Sequence, residues 1–135
     1  MGRGYTFPYK RLDGRFRPII PVELAHTRAV NYEVLVDSGA DMCILHGDIG
    51  RAIGLDIEKG ESFEFGGVSG RMDTGYLHTV TITVKHACFQ TKVGFSDHIN
   101  NSGFGMVGQK GFFDRFAVTF DYAEHKLVLH KKKWA

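Results

Sequence analysis

The sequence predicts a single domain that is mainly β in structure. Its 135 residues are enough for one hydrophobic core, and an apolar fraction of 43% is ordinary for a globular protein. Seventeen glycines against three prolines indicate many tight turns. The clearest signal is TVTITV, residues 79–84, where polar and apolar residues alternate with the period of a half-buried strand. An all-β domain with one or two short helices is therefore expected.

Three elements are predicted in the first half of the chain. Residues 17–24 (RPIIPVEL) form a strand whose two prolines place it at an edge or a bulge. Residues 32–36 are nearly all apolar, which is typical of a strand buried on both faces. In residues 44–55 the apolar positions have helical spacing and Gly54 is a suitable stop, so a short helix is predicted there.

The second half predicts a long β-arm and several short strands. Residues 62–84 lead to a glycine-rich tip around VSGRMD and return, which is the pattern of a hairpin. One or two helical turns are predicted for KGFFDRF, residues 110–116. The other predicted strands are 87–95, 104–107 and a closing hairpin of 117–121 and 125–129. Six phenylalanines are expected in the core: Phe63, Phe65, Phe112, Phe113, Phe116 and Phe120.

The distribution of these signals places the folded domain at residues 17–130. An N-terminal lead, residues 1–16, precedes it, and a basic tail, residues 131–135, follows it. Basic residues gather near both ends of the chain, which is typical of solvated termini. The net charge of +2 is too small to predict a nucleic-acid partner.

No membrane partner is predicted either. The first twenty residues lack the apolar core of a signal peptide, and the run IIPV is too short to span a bilayer. MGRGYT fits the loose myristoylation pattern through Gly2 and Thr6, a match that arises often by chance. The two cysteines, Cys43 and Cys88, favour reduced thiols, so a cytoplasmic location is expected.

The segment NYEVLVDSGAD, residues 31–41, places a carboxylate at the end of an apolar strand. Asp-Ser-Gly alone is an ordinary turn tripeptide. Here the apolar residues before Asp37 anchor its backbone in the core, and Gly39 allows a sharp turn where a Cβ would obstruct. Ser38 adds a hydroxyl beside the acid. Asp37 is therefore predicted to be a reactive group held in place by a rigid strand.

A second apolar strand, FGMVG at residues 104–108, also ends in glycine and is expected to support the Asp37 loop. Together with the glycine-rich arm at 65–77, the DSGA and MVG motifs resemble those of the retropepsin-type aspartic proteases. The resemblance covers residues 17–130. It is greatest to single-domain cellular members, including bacterial ones.

This resemblance implies a closed β-barrel or sandwich with a β-hairpin flap, and an endopeptidase that uses no cofactor or metal. A water molecule would be activated between two carboxylates, one ionised and one protonated, because two close acids cannot both ionise cheaply. Asp37 is the predicted acid of this kind, since Asp41 belongs to the same loop and Asp114 and Asp121 lack the Ser-Gly sequel. A homodimer with one Asp37 from each chain is therefore implied, acting on a peptide or protein substrate.

The resemblance also assigns roles around Asp37. Ser38 would hydrogen-bond across the two-fold axis, and the tip of the flap would cover a bound peptide. The implied support residues of the active site are Ser38, Gly39, Ala40, Asp41, Met106, Val107 and Gly108. The implied flap and substrate-binding residues are Phe65, Gly66, Gly67, Val68, Ser69, Gly70 and Tyr76.

Three features depart from the viral members of this family. Ser38 stands where many have threonine, which keeps the hydroxyl. Gln109 stands where they have an arginine that pairs with the acid corresponding to Asp41, so Arg115 or an early arginine becomes the candidate partner. Viral dimers join short termini in a shared sheet. This chain has a longer N-terminal lead and a KKKWA tail, so a different dimer contact is expected.

Two alternatives stay open. The chain can be a catalytically weak or inactive retropepsin-fold domain that binds a peptide or protein without cleaving it. A zinc-stapled interaction module is the other, because Cys43, His46, His86 and Cys88 are residue types that bind zinc. His78, in the arm, is a candidate for a pH response.

Overall fold

The computed structural model describes residues 4–66, 70–100 and 104–132 of the chain. This part contains twelve strands, one α-helix and one 3-10 helix. The strands are β1 (Gly4–Pro8), β2 (Lys10–Leu12), β3 (Arg15–Arg17), β4 (Ile19–Ala25), β5 (Ala29–Val36), β6 (Ile44–His46), β7 (Glu61–Gly66), β8 (Met72–Val84), β9 (Ala87–Ser96), β10 (Gly105–Val107), β11 (Phe116–Asp121) and β12 (Lys126–Lys131). The helices are α1 (Gly47–Ala52) and the 3-10 helix Ile57–Lys59. Within the described residues, neither helix has the length and apolar character to cross a membrane.

Seven strands form one sheet that closes on itself. Their order is β4-β5-β10-β6-β9-β8-β7, and β4 also pairs with β8, where Glu23 lies opposite Thr83. The length of β8 makes this closure possible, since its 13 residues pair with β7, β9 and β4 in turn. The predicted all-β barrel is confirmed, with β7 attached outside the ring.

Strand β10 lies between β5 and β6. It runs parallel to β5, with Val107 opposite Val36, and antiparallel to β6, with Met106 opposite Ile44. The chain that joins β5 to β6 therefore has to pass the end of β10. This arrangement brings the two sequence motifs, DSGA after β5 and MVG in β10, next to each other.

The N-terminal segment folds against the C-terminal hairpin of the same chain. Strand β1, which lies inside the predicted lead at 1–16, pairs antiparallel with β12 from Gly4, opposite His130, to Pro8, opposite Lys126. Strand β11 pairs with the other edge of β12 to complete a three-stranded sheet. Strands β1 and β12 thus satisfy part of each other's backbone hydrogen bonding within one subunit.

The helix predicted at 44–55 is shorter in the structure. Ile44 and Leu45 belong to β6, because their backbone completes the sheet between β10 and β9, where Leu45 lies opposite Phe95. Helix α1 begins after His46, whose Nδ1 accepts a hydrogen bond from the Asp48 N–H. It ends before Gly54, which has a φ of +97°.

The helical turns predicted at 110–116 are hydrogen-bonded turns without a regular helix. The Phe113 N–H donates to the Gly108 carbonyl and the Asp114 N–H to the Gln109 carbonyl, each spanning five residues. Gly111 has a φ of +100°, a conformation outside the α-helix, which explains the interruption.

The barrel interior is apolar and rich in aromatic rings. Phe112 and Phe116 are fully buried with ring centroids 5.1 Å apart, as the sequence predicted for these two residues. Phe63, Phe65 and Phe113 are half-buried at the periphery of the core. The core prediction was wrong for Phe120, which is partly exposed because it lies near the end of the edge strand β11, although it is opposite the buried Leu127.

Candidate active site

Asp37 lies where β5 ends beside β10. Its N–H donates to the Val107 carbonyl at 3.0 Å, one residue beyond the paired positions Val36 and Val107. The N–H of Val36 donates in turn to the Pro18 carbonyl at 2.9 Å. Because both neighbouring backbone groups are bonded, the Asp37 main chain is held at the rigid end of a buried strand.

The Asp37 side chain is half-buried and bends back onto its own loop. Its Oδ1 accepts a hydrogen bond from the Gly39 N–H at 2.9 Å, while the Asp37 carbonyl accepts one from the Ala40 N–H at 3.2 Å. Oδ2 has no partner among the residues that the structure describes. One carboxylate oxygen is therefore fixed by the loop, and the other is available to a second group.

The turn after β10 holds the Asp37 loop through backbone hydrogen bonds. The Gln109 N–H donates to the Ala40 carbonyl at 2.8 Å, and the Lys110 N–H donates to the Asp41 carbonyl at 2.9 Å. The Asp41 side chain is exposed and forms no ion pair with any described residue. Asp41 therefore supports the loop within one chain through its backbone.

Gly108 allows this close approach of two backbones. A Cβ at this position would lie 2.4 Å from the Ala40 carbonyl oxygen and 2.5 Å from that of Met42. Both are main-chain atoms, so a rotamer change would not relieve the contact. The glycine of the MVG motif is required because the DSGA loop lies directly against it.

Gln109 makes a side-chain contact that the sequence did not reveal. Its Nε2–H donates to the Ser38 carbonyl at 2.9 Å, so the residue at the position where the resemblance implied an arginine holds the backbone of the Asp37 loop. Arg115, considered as a replacement partner for Asp41, donates to the Gln90 carbonyl at 2.8 Å and lies over the Phe89 ring.

Replacement of Gln109 by alanine is expected to destabilise the protein by about 0.5–1 kcal/mol, because one partly exposed hydrogen bond to the loop is lost. Urea denaturation of wild type and variant measures this difference. Lys110→Ala is the matched control, since Lys110 contributes to this turn through its backbone. Equal midpoints for Gln109→Ala and wild type would show that the amide contact adds nothing.

Cys43 lies beneath the loop and is fully buried. Its Sγ accepts the Gly108 N–H at 3.4 Å, and its S–H donates to the Lys110 carbonyl at 3.6 Å. Burial raises the pKa of the Cys43 thiol to about 11, so the thiol stays protonated at neutral pH and serves as a small packing group.

The four candidate zinc ligands do not come together. Cys43 is buried beneath the loop and Cys88 is exposed on β9, whereas His86 lies in the turn between β8 and β9. His46 caps α1 and is near two aspartates instead. The zinc-stapled module considered from the sequence therefore has no geometric basis.

The cluster of possible metal ligands around His46 already binds the guanidinium of Arg51. His46, Asp48 and Asp97 offer ligand atoms within 4.8 Å of one another. However, the Arg51 guanidinium donates to both carboxylate oxygens of Asp97, at 3.0 and 2.7 Å, and holds the pKa of that carboxyl below its usual range. The positive charge of Arg51 lies where a metal ion would have to bind.

The predicted arm is a β-hairpin of β7 and β8, paired from Glu61, opposite Leu77, to Gly66, opposite Met72. Phe65 is half-buried, Gly66 and Gly70 are exposed, and Tyr76 is half-buried against the core. The other three predicted tip residues, Gly67, Val68 and Ser69, lie outside the described residues.

The base of this hairpin packs next to the Asp37 loop. The Phe63 ring covers Gly75 and Gly94, and a Cβ on Gly94 would lie 2.5 Å from Phe63 Cζ and 3.1 Å from Met42 Cε. His78, considered for a pH response, has its Nε2 2.8 Å from the Ile57 carbonyl. A carbonyl only accepts, so Nε2 carries the proton and His78 anchors the hairpin to the 3-10 helix.

Comparison with known proteins shows similarity in structure. No family model matches the sequence, and no curated protein matches it. The structure is similar to a retropepsin-like aspartic protease from Rickettsia conorii, with a TM-score of 0.63 and 18% identity over 94% of this chain and 90% of that chain. The chain has the retropepsin-like fold. A second similar structure is EIAV protease in complex with the inhibitor HBY-793, with a TM-score of 0.50 and 22% identity over 73% of this chain and 86% of that chain.

Within this retropepsin-like fold, the structure brings together most residues that the sequence singled out. The DSGA loop and the MVG strand are in direct backbone contact, and the hairpin base packs beside them. Sequence reasoning missed the side-chain roles of Gln109 and Cys43. The residue types at these positions carry no signal of their contacts, because both contacts join segments more than sixty residues apart.

Proposed function

We propose that this protein is an aspartic endopeptidase that acts as a homodimer, with one Asp37 from each subunit. The Asp37 carboxylate carries the proposal. It lies at the end of a buried strand in a retropepsin-like fold, with Oδ1 bonded to the Gly39 N–H and Oδ2 without a partner among the described residues. The Asp37 loop is held by strand β10, by the close contact at Gly108 and by the Gln109 side chain, and an aspartate in an ordinary surface turn does not require such support.

The proposed chemistry uses two carboxylates with different protonation. One ionised Asp37 takes a proton from a water molecule, which attacks the carbonyl carbon of the scissile peptide bond. The protonated Asp37 of the second subunit donates a hydrogen bond to the carbonyl oxygen. The C–N bond then breaks as the leaving nitrogen takes the proton that the first carboxylate removed from the water. Two close acids share one proton because a second negative charge next to the first is unfavourable, and the resulting pKa values belong to the pair.

A second Asp-Thr-Gly tripeptide, Asp73-Thr74-Gly75, lies within β8, where Asp73 is opposite Phe65 in the hairpin and accepts a hydrogen bond from Arg71. Asp37 is thus the acid of such a tripeptide that lies at the end of a buried strand, so two chains are needed for a complete site. The Ser38 side chain is exposed on the same loop, where it is available to a hydrogen bond across the two-fold axis. Strands β1 and β12 pair with each other within the subunit, so the proposed dimer forms through the loop face instead of a shared terminal sheet.

The hairpin of β7 and β8 is the proposed cover of the substrate. Strand β7 is the last strand in the order of the large sheet, so its outer edge pairs with no other strand in the described part of the chain. An extended peptide can pair with this edge while its side chains contact the barrel face next to Asp37.

The proposal is tested by digestion of a peptide library at mildly acidic pH, with products identified by mass spectrometry. Internal cleavage is expected, with a specific activity that rises with enzyme concentration as dimers form. Sedimentation over the same concentrations reports the dimer. Peptide binding without cleavage at any concentration would contradict the endopeptidase proposal and favour the binding domain. Cleavage by a strict monomer would contradict the shared site.

A further inference from the structure

A cavity of about 700 Å³ opens between the β2–β3 hairpin and the barrel. Its lining combines apolar side chains, here called the floor (Leu12, Leu35 and Phe104), with charged side chains, here called the wall (Asp13, Arg15 and Arg17). A second cavity of about 270 Å³ adjoins it, because the two share Leu35 and Phe104, and its further lining includes the apolar side chains of Ile44 and Met106.

This cavity lies on the same face of β5 as the candidate catalytic acid. Leu35 and Asp37 are two residues apart, and residues at this spacing on an extended strand point to the same side, about 7 Å apart. Met106, opposite Leu35 in β10, lines the adjoining cavity. A peptide bound across Asp37 therefore has both cavities within reach of its neighbouring side chains.

The side chains of the two arginines of the cavity have no partner in the described part of the chain. Neither Arg15 nor Arg17 forms a side-chain hydrogen bond or an ion pair with the residues that the structure describes, and both are exposed. Asp13, at the turn, also lines the cavity and offsets one of the two charges. The wall keeps a net positive charge beside an apolar floor.

The hairpin that carries these arginines is held in place from its opposite face. Side chains alternate along β3, so Arg15 and Arg17 point one way and Phe16 the other. The Phe16 ring is stacked on His125, with centroids 3.7 Å apart and planes 10° apart. The stack fixes the hairpin against the β11–β12 turn and keeps both guanidinium groups at the cavity.

We propose that this cavity selects substrates with a glutamate or aspartate next to the large apolar residue at the cleavage site. The apolar residue would occupy the floor at Leu35 and Phe104, and the carboxylate would reach the forked donors of Arg15 and Arg17. This inference rests on the proposed peptidase function, because it names the substrate class of the same site.

Matched peptide pairs test the selection. Each pair has the same apolar cleavage sequence and differs by glutamate or glutamine at one flanking position. For wild type, kcat/KM is expected to be about threefold to tenfold higher for the glutamate peptide at the preferred position, as for a partly exposed charge pair. In the double variant Arg15→Gln, Arg17→Gln this ratio falls to about one. Lys59→Gln is the control that removes one exposed charge elsewhere, and it keeps the ratio.

The ratio has two further signatures of an ion pair. It falls as salt is raised, because ions screen an exposed pair. It also falls as the pH is lowered through about 4.3, where the peptide glutamate is protonated. A ratio of one in wild type, or a preference that survives in the double variant, overturns the inference.

A peptide-binding experiment distinguishes failure of this inference from failure of the proposed function. The Asp37→Asn protein is titrated with the fluorescent glutamate and glutamine peptides, and the affinity ratio is measured by anisotropy. Tighter binding of the glutamate peptide that depends on Arg15 and Arg17 supports the inference even if wild type cleaves neither. If the double variant Arg15→Gln, Arg17→Gln binds both peptides more weakly by the same factor and also dimerises more weakly, the arginines contact the second copy of the chain. That result would overturn the inference.

Discussion

Asp37→Asn is expected to abolish peptide cleavage and leave the fold intact. The amide cannot take a proton from water, so the rate should fall by at least roughly a factor of 10³, within the range of general acid–base catalysis. The amide oxygen can still accept the Gly39 N–H, the bond that Oδ1 makes in the structure. Thermal unfolding of the variant should therefore stay close to that of wild type.

Two comparisons make this result specific to the shared site. Asp56→Asn removes an exposed carboxylate that makes no capping bond at the 3-10 helix and is expected to keep full activity. Equal mixing of wild type with Asp37→Asn leaves about a quarter of the dimers with two intact acids, so activity per wild-type subunit should fall by about half. Cleavage that persists in Asp37→Asn would show that another group carries out the reaction.

Gly108→Ala is expected to have the largest effect on stability. The new Cβ would lie 2.4 Å from the Ala40 carbonyl oxygen and 2.5 Å from the Met42 carbonyl oxygen, so one of the two backbones must move. Such overpacking against main-chain atoms is expected to cost about 3 kcal/mol or more. The melting temperature should then fall by about 10 °C or more for a chain of this size.

Gly14→Ala is the matched control for this loss. Gly14 lies at the β2–β3 turn with a φ of +74° and no atom within 4 Å of an added Cβ, so its substitution introduces backbone strain alone, at about 1–2 kcal/mol. Calorimetry of both variants compares the two costs. If Gly108→Ala were as stable as Gly14→Ala, the DSGA loop would be able to move away from the added Cβ at little cost in free energy, and it would not be rigidly held.

Local patterns in the sequence were enough to predict the elements that depend on neighbouring residues. The alternation at 79–84 predicted part of β8, and the apolar run before Asp37 predicted the buried end of β5. The DSGA and MVG motifs predicted that a carboxylate loop and a glycine-ended strand would meet. Each of these signals lies within a few residues, where side-chain period and glycine content specify the backbone directly.

Pairing between distant segments could not be predicted in the same way. Ile44 and Leu45 have helical spacing, yet they form β6 because two neighbouring strands already offer backbone partners. The N-terminal residues were predicted as a lead, but Gly4–Pro8 form β1 where β12 presents an open edge. Tertiary hydrogen bonds outweigh weak local preference in both segments.

The candidate active site shows the same difference between features that local sequence specifies and contacts that depend on the tertiary fold. The sequence alone specified Asp37, its turn and the glycine that supports it. The contact of Gln109 with Ser38, the thiol of Cys43 beneath Gly108 and the cavity of Arg15 and Arg17 next to Leu35 arise from the barrel, which places β10 between β5 and β6. These contacts join residues far apart in the chain, and their geometry depends on strand order, which no local pattern encodes.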